Sequence, residues 1–342
     1  MNSSLNFELL TEYGSTWVID GIYLFLISPL CIIGFVLNML SLFIIFRIKK
    51  NNSSVLYPYL KVYCINSSFL CLIASFSFLV YSSRFVGHFL NYYASIYKCI
   101  IGSYVATSLY FFGNILDILI CVERLSIFIT RLKIIKSINP YLTSLILFVT
   151  CCFINLPTCL RTKVKENEII QKELIHSLNN SVPYSICGSG PLASNIILNG
   201  INMIIRDFLT LIVEIGASIY VIIKYKQHKN LKRSLKLNNT TNQQYTHDKR
   251  LTQMTLYLSL ISILTHLTIF ITFILFLISI DDITIGFLIM LSIWSITFKH
   301  EVNFFVFYKF NSNFRFLLLK FLNIKSIKIN QSASISNQQS IV

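Results

Sequence analysis

Seven ionisable residues within long apolar stretches of this sequence need an explanation, because little water is available there to solvate a charge. They are Asp117, Arg206, Asp207, Glu214, Lys299, His300 and Glu301. An ionised side chain at the centre of a bilayer costs about 2.5–3.5 kcal/mol on insertion scales, so such residues usually keep a partner or carry a function. The chemistry open to them is ion pairing between helices, contact with a ligand, or relay of ions.

Asp117 has the clearest predicted partners. It lies seven residues before Arg124, which places both on much the same face of a helix. We expect this face to look into a helical bundle, where Asp117 pairs with Lys299 or His300. The alternative is that water or backbone groups satisfy the carboxylate locally.

Arg206 and Asp207 lie near the end of a different apolar stretch. Two roles fit them, contact with a ligand or placement at the level of the lipid headgroups, and the sequence leaves both open. Glu214, one heptad after Asp207, faces the same side of a helix and has no assigned role.

The sequence has none of the arrangements typical of an enzyme. It contains no nucleophile motif, no cluster of metal ligands and no phosphate-binding loop. We therefore expect neither a catalytic activity nor a cofactor. The formal net charge of +15 does not indicate a nucleic-acid partner, because the basic residues sit in short breaks between apolar runs.

The elements that position the buried charges are seven apolar runs, each long enough to cross a hydrocarbon core of about 30 Å as a helix. With 54% hydrophobic side chains and a mean hydropathy of +0.66, the 342-residue chain is too apolar for an ordinary soluble domain. The predicted spans are Ile19–Phe46, Tyr59–Tyr81, Tyr97–Phe128, Pro140–Leu160, Gly200–Tyr225, Leu251–Ser279 and Ile283–Phe310. The sequence thus predicts an all-α fold, a seven-helix bundle in a membrane.

The distribution of Lys and Arg predicts the orientation of this bundle. Basic residues concentrate in one set of connections, above all 224–250 and 309–328, and acidic residues concentrate in the other. Because basic residues in short loops stay in the cytoplasm during insertion, we expect an extracellular N-terminus and a cytoplasmic C-terminus at the plasma membrane. The basic side would also attract anionic lipid of the inner leaflet.

The segments outside the bundle are short. Residues 1–18 form the predicted extracellular N-terminus and residues 19–310 the membrane domain. Residues 311–324 repeat apolar side chains at helical spacing, which predicts an amphipathic helix on the cytoplasmic membrane surface. Residues 325–342 are predicted to be a disordered tail, whose last residues, Ser340-Ile341-Val342, resemble a ligand of PDZ proteins.

Two of the nine cysteines differ from the rest. Cys99 and Cys187 both fall at the predicted extracellular surface, where disulfides form, whereas most of the others lie inside the spans. We expect a disulfide between Cys99 and Cys187 that fixes the long outer loop over the bundle. Cys159 is the competing partner.

Several motifs resemble those of the rhodopsin-like G-protein-coupled receptors. The stretch Gly34-Phe-Val-Leu-Asn38 is similar to the first-helix motif of that family, and Glu123-Arg124-Leu125 is similar to its Asp/Glu-Arg-Tyr triplet. Cys99 and Arg124 are 25 residues apart, about 37 Å along a helix, which is the family's spacing in the third helix. The segments that begin at Asp248 and Asn303 resemble the start of the family's sixth helix and its Asn-Pro-x-x-Tyr region.

The resemblance also has departures. No acidic residue stands in the second span, so the sodium site of relatives is not expected. Phe304 and Phe307 occupy the positions of the seventh-helix Pro and Tyr. The chain therefore resembles a divergent member, of the neuropeptide-receptor or chemoreceptor kind.

The resemblance implies a function. An extracellular ligand would shift the bundle to a state that activates a heterotrimeric G protein. At rest, Glu123 and Asp248 would hold Arg124 in the switch that couples to the G protein, and Asn303 belongs to the same switch. Asn38, Asp117, Lys299 and His300 would form the polar network between helices. Ala106 stands where amine receptors carry Asp, which disfavours a biogenic amine. The acidic outer face and the long loop with Cys187 favour a cationic peptide as the ligand, and a small molecule is the alternative.

A second function class uses the same charges. Asp117 with Lys299, His300 and Glu301 could relay ions in a transporter or channel. The chain has neither the internal repeat nor the interrupted half-helices common in transporters, so the receptor is the preferred interpretation.

Overall fold

The computed structural model of the protein describes residues 21–48, 56–81, 97–129, 138–161, 163–166, 185–188, 204–234, 239–278 and 282–322. These residues are almost entirely helical, as predicted from the sequence. The exception is a two-stranded antiparallel hairpin of β1 (Lys163–Glu166) and β2 (Ser185–Gly188), in which Val164 lies opposite Cys187.

Nine α-helices run through the described part of the chain. They are α1 (Ser28–Arg47), α2 (Leu56–Tyr81), α3 (Ala106–Phe128), α4 (Pro140–Arg161), α5 (Thr210–Ser234), α6 (Asn239–Leu277), α7 (Asp282–Glu301), α8 (Asn303–Phe310) and α9 (Ser312–Phe321). Three of them are preceded by a π-helical segment: Tyr23–Ile27 before α1, Tyr97–Val105 before α3 and Ile204–Leu209 before α5.

Five helical stretches are long and apolar enough to cross a membrane. They are Tyr23–Arg47, Leu56–Leu79, Ile100–Phe128, Arg206–Gln227 and Lys249–Leu275, and Pro140–Leu156 is a shorter apolar helix. The five coincide with the first, second, third, fifth and sixth predicted spans. Their hydropathy and length identify a membrane-embedded protein.

The fifth and sixth helices extend beyond their predicted ends. The sequence predicted a loop over 226–250, but α5 continues to Ser234 and α6 already begins at Asn239. The physical reason is that hydropathy marks where a helix leaves the hydrocarbon, whereas the backbone hydrogen bonds of a polar helix can continue in water.

The predicted seventh span, Ile283–Phe310, is not one regular helix. Val302 forms a turn between α7 and α8, although its N–H still bonds Phe298 O at 3.0 Å and its carbonyl accepts from Val306 N at 3.1 Å. The helix axis therefore continues through the turn. The following surface helix, predicted at 311–324, is α9, and Asn311 caps it by accepting the N–H of Phe314 at 3.1 Å.

The core of the bundle lies around α3, which has most of its residues buried. At the end that carries Arg124, an apolar cluster joins α1, α2, α3, α6, α8 and α9 around buried residues such as Ile44, Leu60, Leu116 and Phe314. Large apolar side chains on α1 and α4, including Ile32, Leu145 and Phe153, are exposed instead. An apolar exterior of this kind suits contact with lipid.

Candidate functional site

Lys299 is the centre of a buried polar group. Its ammonium lies 2.6 Å from Asp117 Oδ2 and donates hydrogen bonds to Asn114 Oδ1 at 2.9 Å and Ser262 Oγ at 2.8 Å. Three donors of an ammonium thus meet three acceptors, which offsets the desolvation of the buried charge. Lys299 therefore links α7 with α3 and α6.

This geometry decides between the two partners predicted for Asp117. Asp117 pairs with Lys299, and His300 points to another set of groups. Asn114 and Ser262 are further partners of Lys299 that were not predicted from the sequence. Asn114 carried a usable signal, because it lies three residues before Asp117 on the same face of α3.

His300 belongs to a second polar group that joins α1, α2 and the turn after α7. Its Nδ1 is 2.9 Å from Ser67 Oγ, and its backbone carbonyl accepts from Asn38 Nδ2 at 2.9 Å and from Asn303 Nδ2 at 3.0 Å. Asn38 also donates to the carbonyl of Gly34 at 2.8 Å. The predicted network residues thus fall in two neighbouring groups, one around Lys299 and one around His300.

Gly34 brings α1 close to the end of α7. A Cβ on Gly34 would lie 2.6 Å from Glu301 Cγ and 3.2 Å from Cys71 Sγ. The glycine is required by this close approach. Its neighbour Glu301, predicted as an intramembrane charge, therefore packs directly against α1.

A third polar group lies nearer the other end of the bundle, around His266. Arg206 donates to Asp207 Oδ2 through Nη2 at 2.6 Å and Nε at 3.0 Å, and Asp207 Oδ1 is 3.7 Å from His266 Nδ1. On its other side, His266 Nε2 lies 4.0 Å from Glu214 Oε2. Tyr110 OH completes the group at 3.3 Å from His266 Nδ1.

This group explains two charges that the sequence left without a definite role. Asp207 is buried and paired with Arg206, and Glu214 faces α6. The sequence analysis missed His266, although it is an ionisable residue within the sixth predicted span. Asp207, His266 and Glu214 are all fully buried, and together they form a polar contact between α6 and the helical stretch Arg206–Gln227.

A cavity of about 260 Å³ opens beside Arg206. Its apolar wall comes from α2, α6 and α7, and its other wall from the π-helical segment before α3 and the first turns of α3. The apolar residues are Leu70, Ala74, Phe78, Ala106, Ile269, Ile293 and Ile296, and the polar ones are Ser77, Thr107, Tyr110, Arg206 and Thr297. Ala106, which the sequence resemblance aligns with the Asp of amine receptors, is thus part of the cavity wall.

Arg124 lies at the opposite end of α3. Its Nε is 3.0 Å from Glu123 Oε2, and both side chains are almost fully buried. This is one of its two predicted contacts. The other predicted partner, Asp248, falls in α6, but its side chain is outside the described residues, so that contact stays a prediction.

The predicted disulfide also lies outside the described residues, because the side chains of Cys99 and Cys187 are not among them. The same holds for the N-terminal residues 1–18 and the tail 325–342 with its Ser340-Ile341-Val342 end. The described cysteines are free thiols: Cys31, Cys64, Cys71, Cys121, Cys151 and Cys152.

Comparison with known proteins assigns no family to the chain. No family model matches the chain, and no curated protein matches it.

Proposed function

We propose that the chain is a seven-span receptor of the plasma membrane, of the rhodopsin-like type, that activates a heterotrimeric G protein when an extracellular ligand occupies the cavity beside Arg206. One observation supports this most directly: a single buried helix, α3, carries the cavity wall, the link to Lys299 and the Glu123–Arg124 pair. From Ala106 to Arg124 the helix rises about 27 Å, close to the thickness of the hydrocarbon core.

In this proposal α4 and α7 are the remaining two spans. Their 22 and 20 residues correspond to about 33 and 30 Å of helix, enough to cross the hydrocarbon. The N-terminus is extracellular and the C-terminus cytoplasmic, which places Arg124 and the basic helix ends toward the G protein. The Cys99–Cys187 disulfide holds the outer loop over the cavity.

The three polar groups give a route from ligand to G protein. A ligand in the cavity contacts Arg206, whose partner Asp207 faces His266 on α6. Lys299 connects α6 with α3 and α7, so a displacement of α6 changes polar contacts along the whole bundle. Such packed polar contacts favour discrete arrangements, and a ligand shifts their populations by its difference in affinity.

At the cytoplasmic end, Arg124 is the residue that meets the G protein. In the resting state it is held by Glu123 and by Asp248 of α6. Movement of α6 removes the Asp248 contact and exposes the guanidinium, which then binds acceptor groups on the G protein. The basic ends of α5 and α6 assist the encounter by electrostatic attraction.

The test uses cells that express the chain with a promiscuous G protein. A library of peptides and small molecules is screened for calcium responses, and any active compound is tested on Arg124→Ala. We expect the response to be lost at equal surface expression. Arg47→Ala is the matched control, because Arg47 is an exposed arginine at a helix end and should respond normally. A normal response of Arg124→Ala would refute the proposal.

A second candidate function, ion or proton transport, is favoured by one observation. Asp207, His266, Glu214, Asp117 and Lys299 are all buried, and they extend from the cavity toward the centre of α3. In a transporter these groups would pass ions or protons through the bundle. Proteoliposomes that hold the purified chain test this: a flux that Asp117→Asn abolishes supports transport, and no flux supports the receptor.

A further inference from the structure

The cavity beside Arg206 has a definite chemistry. It is enclosed largely by aliphatic and aromatic side chains, and Arg206 is the only charged residue among the described residues that line it. Its volume of about 260 Å³ lies just below the range of about 300–1,000 Å³ typical of small-molecule sites. The cavity therefore fits a compact apolar molecule, whereas a peptide could place only part of itself there.

Arg206 offers donors to such a molecule. A guanidinium has five N–H groups, and the hydrogen bonds to Asp207 use only Nε and one N–H of Nη2. Within the described residues, the other three N–H groups make no hydrogen bond. The guanidinium lies over the ring of Tyr110, with Cζ 5.6 Å from the ring centroid, which fixes its orientation at the cavity.

The charge of the ligand follows from what surrounds Arg206. Its positive charge is already neutralised by Asp207 at 2.6 Å, so a ligand carboxylate would lose its water without meeting an uncompensated cation. An ammonium is disfavoured more strongly, because no acidic side chain is among the described lining residues and Arg206 would repel it. A neutral acceptor oxygen, by contrast, can accept from Arg206 at little desolvation cost.

We infer that the cavity binds a small, neutral, largely apolar molecule whose carbonyl or similar acceptor oxygen bonds the unused N–H groups of Arg206. This inference rests on the proposed receptor function only in treating the cavity as the ligand site. The Arg206–Asp207 pair then recognises the ligand, and the contact of Asp207 with His266 couples ligand binding to α6.

The test measures binding without any G protein. The full chain is purified into lipid nanodiscs, and its thermal unfolding midpoint is measured with four compounds of equal carbon count: methyl octyl ketone, decanoic acid, decylamine and decane. Near saturation, we expect the ketone to raise the midpoint by about 4 °C. Decanoic acid, decylamine and decane should change it by less than half of that.

Two pairs of variants tie the effect to the cavity. Ala106→Leu fills the cavity and should abolish the ketone shift, whereas Ala217→Leu, on α5 away from the cavity, should retain it. The double variant Arg206→Gln/Asp207→Asn removes both charges together, so that neither is left buried alone. In this variant the ketone should raise the unfolding midpoint no more than decane does.

Each other outcome of the binding measurement overturns the inference. If decanoic acid or decylamine raises the unfolding midpoint more than the ketone does, the cavity prefers a charged ligand. If the ketone does not raise the midpoint, the cavity does not bind neutral molecules of this kind. Stabilisation by amidated peptides alone would assign the cavity to a peptide. If the ketone binds as expected but never stimulates nucleotide exchange by a G protein, the receptor function fails while the ligand inference stands.

Discussion

The ammonium of Lys299 lies 2.6 Å from Asp117 Oδ2, and each of the two side chains is only 2% exposed. An ion pair so deeply buried makes each partner depend on the other. Removal of one partner leaves an uncompensated charge in the bundle. Removal of both leaves no such charge, although Asn114 and Ser262 then lose the hydrogen bonds from the ammonium.

We therefore expect Asp117→Asn and Lys299→Met each to lower the free energy of unfolding by about 3–5 kcal/mol, because each leaves the other charge uncompensated. The double variant should lose clearly less than the sum of the two. The measurement is a double-mutant cycle on unfolding of the purified chain. Lys309→Met is the control, since Lys309 is exposed on α8 and should change stability by less than about 0.5 kcal/mol. Additive losses would mean that the two residues are not coupled.

Gly34→Ala should destabilise the protein by about 1–3 kcal/mol. The new Cβ would lie 2.6 Å from Glu301 Cγ, so that the Glu301 side chain, α1 or the end of α7 must shift. Gly216→Ala provides the matched comparison, because nothing lies within 4 Å of its Cβ position on α5. Replacement there should be neutral or stabilise the helix by up to about 1 kcal/mol. The thermal unfolding midpoints of the two variants should move in opposite directions or differ by several degrees, and equal midpoints would contradict the close approach of α1 and α7.

His266→Leu should raise ligand-independent signalling. His266 lies between Asp207 and Glu214, and its loss removes the polar contact that holds α6 against the helical stretch Arg206–Gln227. A change of about 1 kcal/mol in this contact corresponds to about a fivefold shift between states. Basal nucleotide exchange by a G protein measures the effect.

The control for this prediction is the next residue along α6. Leu267→Ala shortens a side chain that is 45% exposed and does not belong to the polar group around His266. Its basal activity should match that of the wild type. An unchanged or lower basal rate in His266→Leu would show that the contact does not hold the resting state.

The predicted Cys99–Cys187 disulfide can be tested by peptide mapping under non-reducing conditions. We expect one linked peptide that contains both residues, and Cys99→Ser and Cys187→Ser should reduce surface expression equally. Cys152→Ser should leave expression unchanged, since Cys152 is a free thiol within α4. A peptide that links Cys99 to Cys159 would establish the competing pairing.

Part of this site follows from the sequence. Insertion cost requires a partner for Asp117, and helical periodicity places Asp117 on the buried face of α3. The choice between Lys299 and His300 does not follow, because neighbouring residues on a helix point about 100° apart and only the rotation of α7 decides which one faces α3. The positions of Asn114 and Ser262 depend on the same rotation.

The ends of the helices are harder to predict from the sequence. The turn at Val302 has neither proline nor glycine to mark it, and the polar residues from Lys226 to Arg250 suit a loop as well as a water-exposed helix. The cavity is likewise invisible in the sequence, since its lining residues come from several separate segments. Composition therefore predicts the membrane and the helices, whereas the cavity and the polar groups depend on helix packing.

The burial of α3 has a consequence for how the chain tolerates variation. Most α3 residues, from Ser108 to Ser126, are enclosed by other helices, whereas many α4 residues, such as Leu145 and Phe153, face outward. In a saturation mutagenesis library selected for surface display, α3 should accept few replacements of any kind. The outward face of α4 should accept most apolar residues and reject charged ones, so the two helices would differ in the chemistry rather than only the number of permitted substitutions.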